Sequence, residues 1–271
     1  MSNNTESIPF LELFGITNKD ELLTSLSNIT DYLSSTGFNT NCPRSLYRYR
    51  PAKRAMDEIE NHYILLASVS EMSDPYDSLI PIVDIIKKTN LYKELCEDTS
   101  DAEQMMKEIL DTPKDLLTIC CFAEDYRSFP MWDHYARQYT GVCIEYDGSK
   151  LKNCAAPFQV KYSKKSFSSF PKRTKNDFEF IMDSLIGSIL TKNKDYCYEK
   201  EWRYFNGSFE DEIDIKDSIS RVYIGAKCTR YNKQIIQTCK SNGIEVIRLK
   251  TCSSKFEFEE EIITGNVILF S

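Results

Sequence analysis

Histidine and glycine are scarce in this chain. Its two histidines are His62 and His134, so a zinc site would have to recruit unusual partners, and no metal is expected. With nine glycines, a glycine-rich phosphate cradle is poorly supported, and GxGxxG, GxxxxGK[ST], HExxH and GxSxG are all absent. No apolar run approaches the roughly 20 residues that a membrane helix needs. Met1 to Pro9 carries neither the basic region nor the apolar stretch of a signal peptide. The expected location is therefore cytoplasmic. A net charge of −7 argues against a protein that coats DNA generally, because non-specific affinity comes from neutralised phosphates. The ten cysteines contain no Cys-x-x-Cys. Adjacent Cys120 and Cys121 sit in the apolar run 116–122, where buried free thiols behave as small hydrophobes.

What is present is a globular composition, 41% hydrophobic and 12% aromatic over 271 residues, enough for a substantial core. Residues 1–40 read as a helical extension: Asn18 caps a segment whose Leu22, Leu26, Ile29 and Leu33 recur at helical spacing, and Gly37 ends it. Residues 41–271 form the main domain. Strands are expected at 46–50, 63–67, 117–123, 142–146, 158–162, 199–205, 222–225, 244–249, 255–262 and 266–270. Helices are expected at 52–61, 130–139, 177–193 and 231–242, with two more over 79–112. The order follows no regular βα repeat, which favours an α+β fold with a largely antiparallel sheet.

The most informative stretch is Tyr198-Glu-Lys-Glu-Trp-Arg-Tyr-Phe205. On an extended chain Glu199 and Glu201 face one side. Two carboxylates that close repel, and one pKa rises relative to the other. The alternative is a solvated strand edge whose acids pair with Lys200 or Arg203. Between Lys150 and Asn176 there are eight basic residues and no acid, among them Lys164, Lys165, Lys172 and Arg173, with Phe167 and Phe170 interleaved. That stretch is either a solvated loop or a contact surface for nucleic acid or another acidic target.

Several blocks occur in a recognisable order: Leu46-Tyr-Arg-Tyr49, Ser73-Asp-Pro-Tyr-Asp77, Cys121-Phe-Ala-Glu124, Met131-Trp-Asp-His-Tyr-Ala136, Gly141-Val-Cys-Ile-Glu-Tyr-Asp147 and Tyr198-Glu-Lys-Glu-Trp-Arg203. Together they resemble domain-of-unknown-function family 2971. A looser resemblance is to ADP-ribosyltransferases, in particular the DarT-like toxins that modify DNA, carried by Tyr47-Arg48-Tyr49, Phe122-Ala123 with Pro130-Met131-Trp132, and Glu201-Trp202-Arg203. Arg48 stands where many of those enzymes have His. The second resemblance implies an ADP-ribosyltransferase-like split sheet and NAD as substrate. It implies Glu201 as the catalytic carboxylate, with Glu199 acting on the acceptor nucleophile. Tyr47, Arg48, Tyr49, Asp74, Trp132 and Tyr135 would line the dinucleotide pocket, with core packing the other reading of the aromatics and turn-making that of Asp74. The implied setting is bacterial toxin or phage-defence conflict, with an unidentified macromolecular acceptor and no membrane. The alternatives are a non-catalytic module sensing a nucleotide or partner on the same fold, and a nuclease, which the lack of clustered metal ligands disfavours.

Overall fold

The computed structural model describes residues 41–69, 72, 74, 76–77, 85, 87–90, 118–151, 157–165, 177–206 and 212–263. The expected extension at 1–40, most of the helical stretch 79–112 and the strand at 266–270 lie outside them. The described strands are β1 (Ser45–Arg50), β2 (Tyr63–Leu65), β3 (Ala67–Ser68), β4 (Thr118–Ala123), β5 (Val142–Asp147), β6 (Phe158–Gln159), β7 (Lys161–Ser163), β8 (Thr191–Asn193), β9 (Glu201–Asn206), β10 (Glu212–Asp214), β11 (Ile219–Ile224), β12 (Glu245–Thr251) and β13 (Phe258–Ile263). The helices are α1 (Ala52–Asn61), α2 (Phe129–His134), α3 (Asp177–Ile189) and α4 (Asn232–Ser241).

Nine strands form one mixed sheet in the order β13-β12-β11-β5-β1-β4-β9-β6, with β3 attached to β4. Its pairings are antiparallel except β11 with β12. The fold is α+β, as expected. Central β5 is buried along its whole length; Val142, Cys143 and Ile144 favour this, and buried Glu145 accepts hydrogen bonds from the Ser45 and Tyr223 hydroxyls. In α1, Ala52, Ala55 and Ile59 fall on one face and turn toward the sheet. That face, part of α4 and the inward side chains of β1, β5, β9 and β11 make the main core. The opposite side of the sheet carries a second cluster around Tyr49, Trp132 and Tyr223. Among the described residues no helix is long and apolar enough to cross a membrane.

The sheet is joined only narrowly between β1 and β4. β1 and β4 share one register pair, Tyr47 opposite Ala123, whereas β1 follows β5 from Ser45 to Arg50 and β4 follows β9 from Thr118 to Ala123. Beyond Tyr47 the two strands part, and β3 takes the flank of β4 at Thr118 and Ile119. The opening between them is a cleft.

Three expectations are corrected. The helix begun at Pro130 does not reach Tyr139: α2 ends at His134, and Arg137, Gln138 and Tyr139 all take positive φ, 48°, 55° and 68°. The strand expected from Glu199 begins at Glu201, because Glu199 closes a 3-10 helix (Lys194–Glu199) and Lys200 is left-handed. The strand expected at 158–162 is broken into β6 and β7, which join different sheets.

The left-handed turn after α2 is clamped. Gly225 N–H donates to Gly141 O and Lys227 N–H to Tyr139 O, both at 3.0 Å. A Cβ on Gly225 would lie 2.3 Å from Tyr139 O, and one on Gly141 2.3 Å from Arg50 O. Backbone oxygens cannot swing aside as a side chain does. Gly225→Ala is therefore expected to lower unfolding free energy by about 1–3 kcal/mol, the usual cost of forced overpacking. Urea denaturation reads it, and an unchanged midpoint would mean that the turn and β11 separate freely.

Candidate functional site

Helix α3 hands the chain to β8, where Lys192 sits opposite Tyr162 of β7 in a short parallel pair. Asn193 Oδ1 then accepts the Asp195 N–H at 3.0 Å and starts the 3-10 helix that carries Tyr196, Tyr198 and Glu199. The left-handed Lys200 reverses the direction, and β9 opens with Glu201. Alternation along β9 puts Glu201 and Arg203 on one face and Trp202 and Tyr204 in the main core. Asp74 builds a turn from the other side: its Oδ1 accepts the Tyr76 N–H at 2.9 Å and its carbonyl accepts the Asp77 N–H at 3.0 Å. That turn delivers Asp77 to Arg203.

The result is a buried charged cluster. Lys192 Nζ lies 2.5 Å from Glu199 Oε2, 3.0 Å from Glu201 Oε2 and 3.1 Å from Asp77 Oδ2. Arg203 is fully buried. Its Nε donates to Glu201 Oε1 at 2.7 Å, its Nη2 to both Asp77 oxygens at 2.7 and 2.8 Å, and its Nη1 to the Ile189 carbonyl at 2.5 Å. That carbonyl belongs to the last turn of α3, where a cation also meets the negative end of the helix dipole. The Tyr135 hydroxyl donates to Glu199 Oε1 at 2.7 Å, and the Glu201 N–H donates to the Tyr162 hydroxyl at 2.8 Å. Burial pushes the Glu199 carboxyl up, against the pull of Lys192 and with the help of neighbouring Glu201. Burial acts the same way on Glu201, but there Arg203 and Lys192 outweigh it and hold the group well below the usual carboxylate range.

This cluster forms one wall of the cleft between β1 and β4. The cleft encloses about 730 Å³ and is also lined by Tyr47, Tyr49, Arg50, Arg54, Asp74 and Tyr196, a size suited to a nucleotide-scale ligand. Seven of the sequence-derived residues meet there: Tyr47, Arg48, Tyr49, Asp74, Tyr135, Glu199 and Glu201. Trp132 does not. It is fully buried against Tyr49, and its indole N–H donates to the Tyr126 carbonyl at 2.6 Å, which makes it packing. Arg48 reaches the cleft from the helix-side face of the sheet; its guanidinium lies 5.9 Å from the Phe122 ring centre and pairs with Glu58 at 3.5 Å. Arg50 is also bound to Glu58. Arg54, one turn into α1, is exposed at the cleft and has no ion pair among the described residues. His134 meets the Tyr198 hydroxyl at 3.3 Å. Lys164 and Lys165 are exposed, while Lys172 and Arg173 lie outside the described residues.

Sequence reasoning missed Lys192, Asp77 and Arg203 as site groups. Asp77 and Arg203 ended two of the family blocks, which was the available signal; Lys192 lay in none. The three acids form no open metal cage, because their inward oxygens are engaged by Lys192 and Arg203.

Residues 131–204 match the family model described as "Protein of unknown function (DUF2971)". The matched segment runs from within α2 into β9, so it contains Tyr135, Lys192, Glu199, Glu201 and Arg203. Tyr47, Arg48, Asp74 and Asp77 reach the same site from outside it. No curated protein and no solved structure matches the chain significantly.

Proposed function

We propose that this protein is an ADP-ribosyltransferase-like enzyme that uses NAD and modifies a macromolecular acceptor, in a bacterial toxin or phage-defence setting. The observation that carries the reading is Glu201, a fixed anion at the first residue of β9, lining a cleft where an α+β sheet opens between β1 and β4.

Cleavage of the nicotinamide–ribose bond passes through an oxocarbenium-like state, as glycoside cleavage does. Glu201 stabilises the developing positive charge and accepts a hydrogen bond from the ribose. The bonding pair leaves with the ring nitrogen of nicotinamide, the acceptor's nucleophile bonds to C1′, and its proton passes to Glu199. Tyr47, Tyr135 and Tyr196 supply walls for the rings. With Arg48 held by Glu58, the pyrophosphate falls to Arg54, whose fork suits phosphate oxygens. Exposed Lys164 and Lys165 suit an anionic acceptor.

A second reading has its own support: both oxygens of Glu201 already receive hydrogen bonds, from Arg203 and Lys192. On that reading the cleft holds a nucleotide without cleaving it, and the protein is a sensing module. Incubation with NAD separates the two. Nicotinamide release, slow alone and faster with acceptor, supports the enzyme; binding without release, or no binding of NAD at all, removes it and favours the module.

A further inference from the structure

The buried cluster holds three carboxylates, Asp77, Glu199 and Glu201, against two cations, Lys192 and Arg203. Among the described residues one negative charge is in excess, and the three acids have unequal claims on the cations. Glu201 receives the Arg203 fork through Nε at 2.7 Å and Nη2 at 3.1 Å, with Lys192 at 3.0 Å. Asp77 also receives both Arg203 and Lys192. Among the described residues the only cation that Glu199 meets is Lys192, shared with the other two acids, beside the neutral hydroxyl of Tyr135. The excess charge therefore rests on Glu199.

We propose that Lys192 is the positioning residue that divides the two glutamates, keeping Glu201 ionised and leaving Glu199 to take up a proton that Tyr135 relays from the cleft. The assignment rests on the catalytic reading above, and it gives Tyr135 a task beyond that of a wall. Tyr135 is 42% exposed while Glu199 is 3% exposed, so Tyr135 is the bridge from cleft to carboxylate. In the relay, the acceptor's proton bonds to the Tyr135 oxygen, the Tyr135 proton bonds to Glu199 Oε1, and the acceptor's electron pair forms the new bond to C1′.

The other groups facing the pair do not compete for the proton. Burial pushes the Cys121 thiol on β4 upward, with Glu201 adding to it, and pushes the Tyr162 hydroxyl on β7 upward against the hydrogen bond from the Glu201 N–H, so both are neutral. Tyr198, on the same 3-10 helix as Glu199, is raised by burial and by Glu199 itself. Tyr196 is raised by Asp74. Tyr135 is raised by burial and by Glu199, which keeps its proton in place until Glu199 accepts it.

The test needs no turnover. Protein carrying 13C at the glutamate carboxyl carbons is titrated by NMR, with the Glu199 signal assigned by its loss in Glu199→Gln. In the wild type Glu199 is expected to titrate above the ordinary carboxylate range and Glu201 below it. Tyr135→Phe, at a half-exposed position, removes a donor to the anion and should move the Glu199 midpoint up by about one unit. Lys192→Met should move it further, and Lys192→Arg should restore most of the shift.

Stability gives a second measure. A carboxyl raised in the folded state contributes stability below its unfolded value and loses it as pH rises through the folded one. Wild type should therefore lose stability relative to Glu199→Gln as pH rises above the ordinary glutamate range. A Glu199 midpoint at or below that of Glu201, or one unmoved in both Tyr135→Phe and Lys192→Met, would overturn the assignment. If the midpoints move as stated while NAD stays intact, the charge assignment stands and the catalytic reading is the part that falls.

Discussion

Glu201→Gln is expected to slow nicotinamide release from NAD by about 100–1,000-fold, the cost of removing one preorganised electrostatic stabiliser. Gln keeps the shape and one acceptor oxygen but removes the charge that meets the oxocarbenium-like centre. The fold should bear this change better than the loss of a cation, although the new amide N–H2 must face Arg203 or Lys192. Without Glu201 the cluster holds two carboxylates, Asp77 and Glu199, against Lys192 and Arg203, so its charges balance. The loss should therefore appear in the turnover of protein that keeps its circular dichroism spectrum. The rate of chemistry, measured in a single turnover, should fall far more than NAD affinity, because a group matched to the transition state contributes little to ground-state binding. Equal turnover by the variant would show that another group stabilises the charge. A large loss of affinity with unchanged chemistry would place Glu201 in binding alone.

Arg203→Met should be the most damaging substitution to the fold, at about 3–5 kcal/mol, because breaking a buried ion network from one side leaves its partners as uncompensated charges. Here the partners are Asp77 and Glu201, and the Ile189 carbonyl loses its donor as well. A loss of that size is a large part of the 5–15 kcal/mol that typically separates folded from unfolded protein. Guanidinium denaturation at neutral pH reads it. Arg203→Lys should recover only part of the loss, since an ammonium cannot reach Glu201, Asp77 and Ile189 with one planar fork. A change within about 0.5 kcal/mol, the range of ordinary surface substitutions, would show that the network adds nothing to stability.

Much of the framework was legible from local pattern. Helix 52–61 was read with the bounds it has, because Pro51 stops the preceding strand and Ala52, Ala55 and Ile59 mark one face. The strand at 142–146 was equally plain, since Thr140-Gly141 breaks the preceding helix and Val142, Cys143, Ile144 and Tyr146 suit a buried strand. Where the backbone turns left-handed without a glycine, the reading failed. Lys200 and the run Arg137-Gln-Tyr139 carry no residue that announces such a turn, so a strand was extended over Glu199 and a helix over Tyr139.

The glutamate pair was found for an incomplete reason. The two acids share a site because a 3-10 helix and a reversal at Lys200 fold Glu199 back onto Lys192, not because a strand aligns them. The partners of Glu201 were out of reach for a different cause. Asp77 and Arg203 are 126 positions apart, and no local period encodes such a pairing. A split sheet was expected through the resemblance alone; where it opens was hidden, because the opening consists of hydrogen bonds that β1 and β4 do not make.

A cluster with one negative charge to spare sorts ligands by charge as well as by shape. On the proposed reading, the nicotinamide ring that approaches it is a cation in oxidised NAD and neutral in the reduced form. At about 4 Å that difference is on the order of 1–4 kcal/mol, depending on how far water is excluded. The spare charge on Glu199 would thus make the cleft a discriminator of redox form, taking the oxidised dinucleotide and letting the reduced one pass. Cleavage also erases the attraction, since released nicotinamide is neutral. The same imbalance that draws the substrate in then favours departure of the first product.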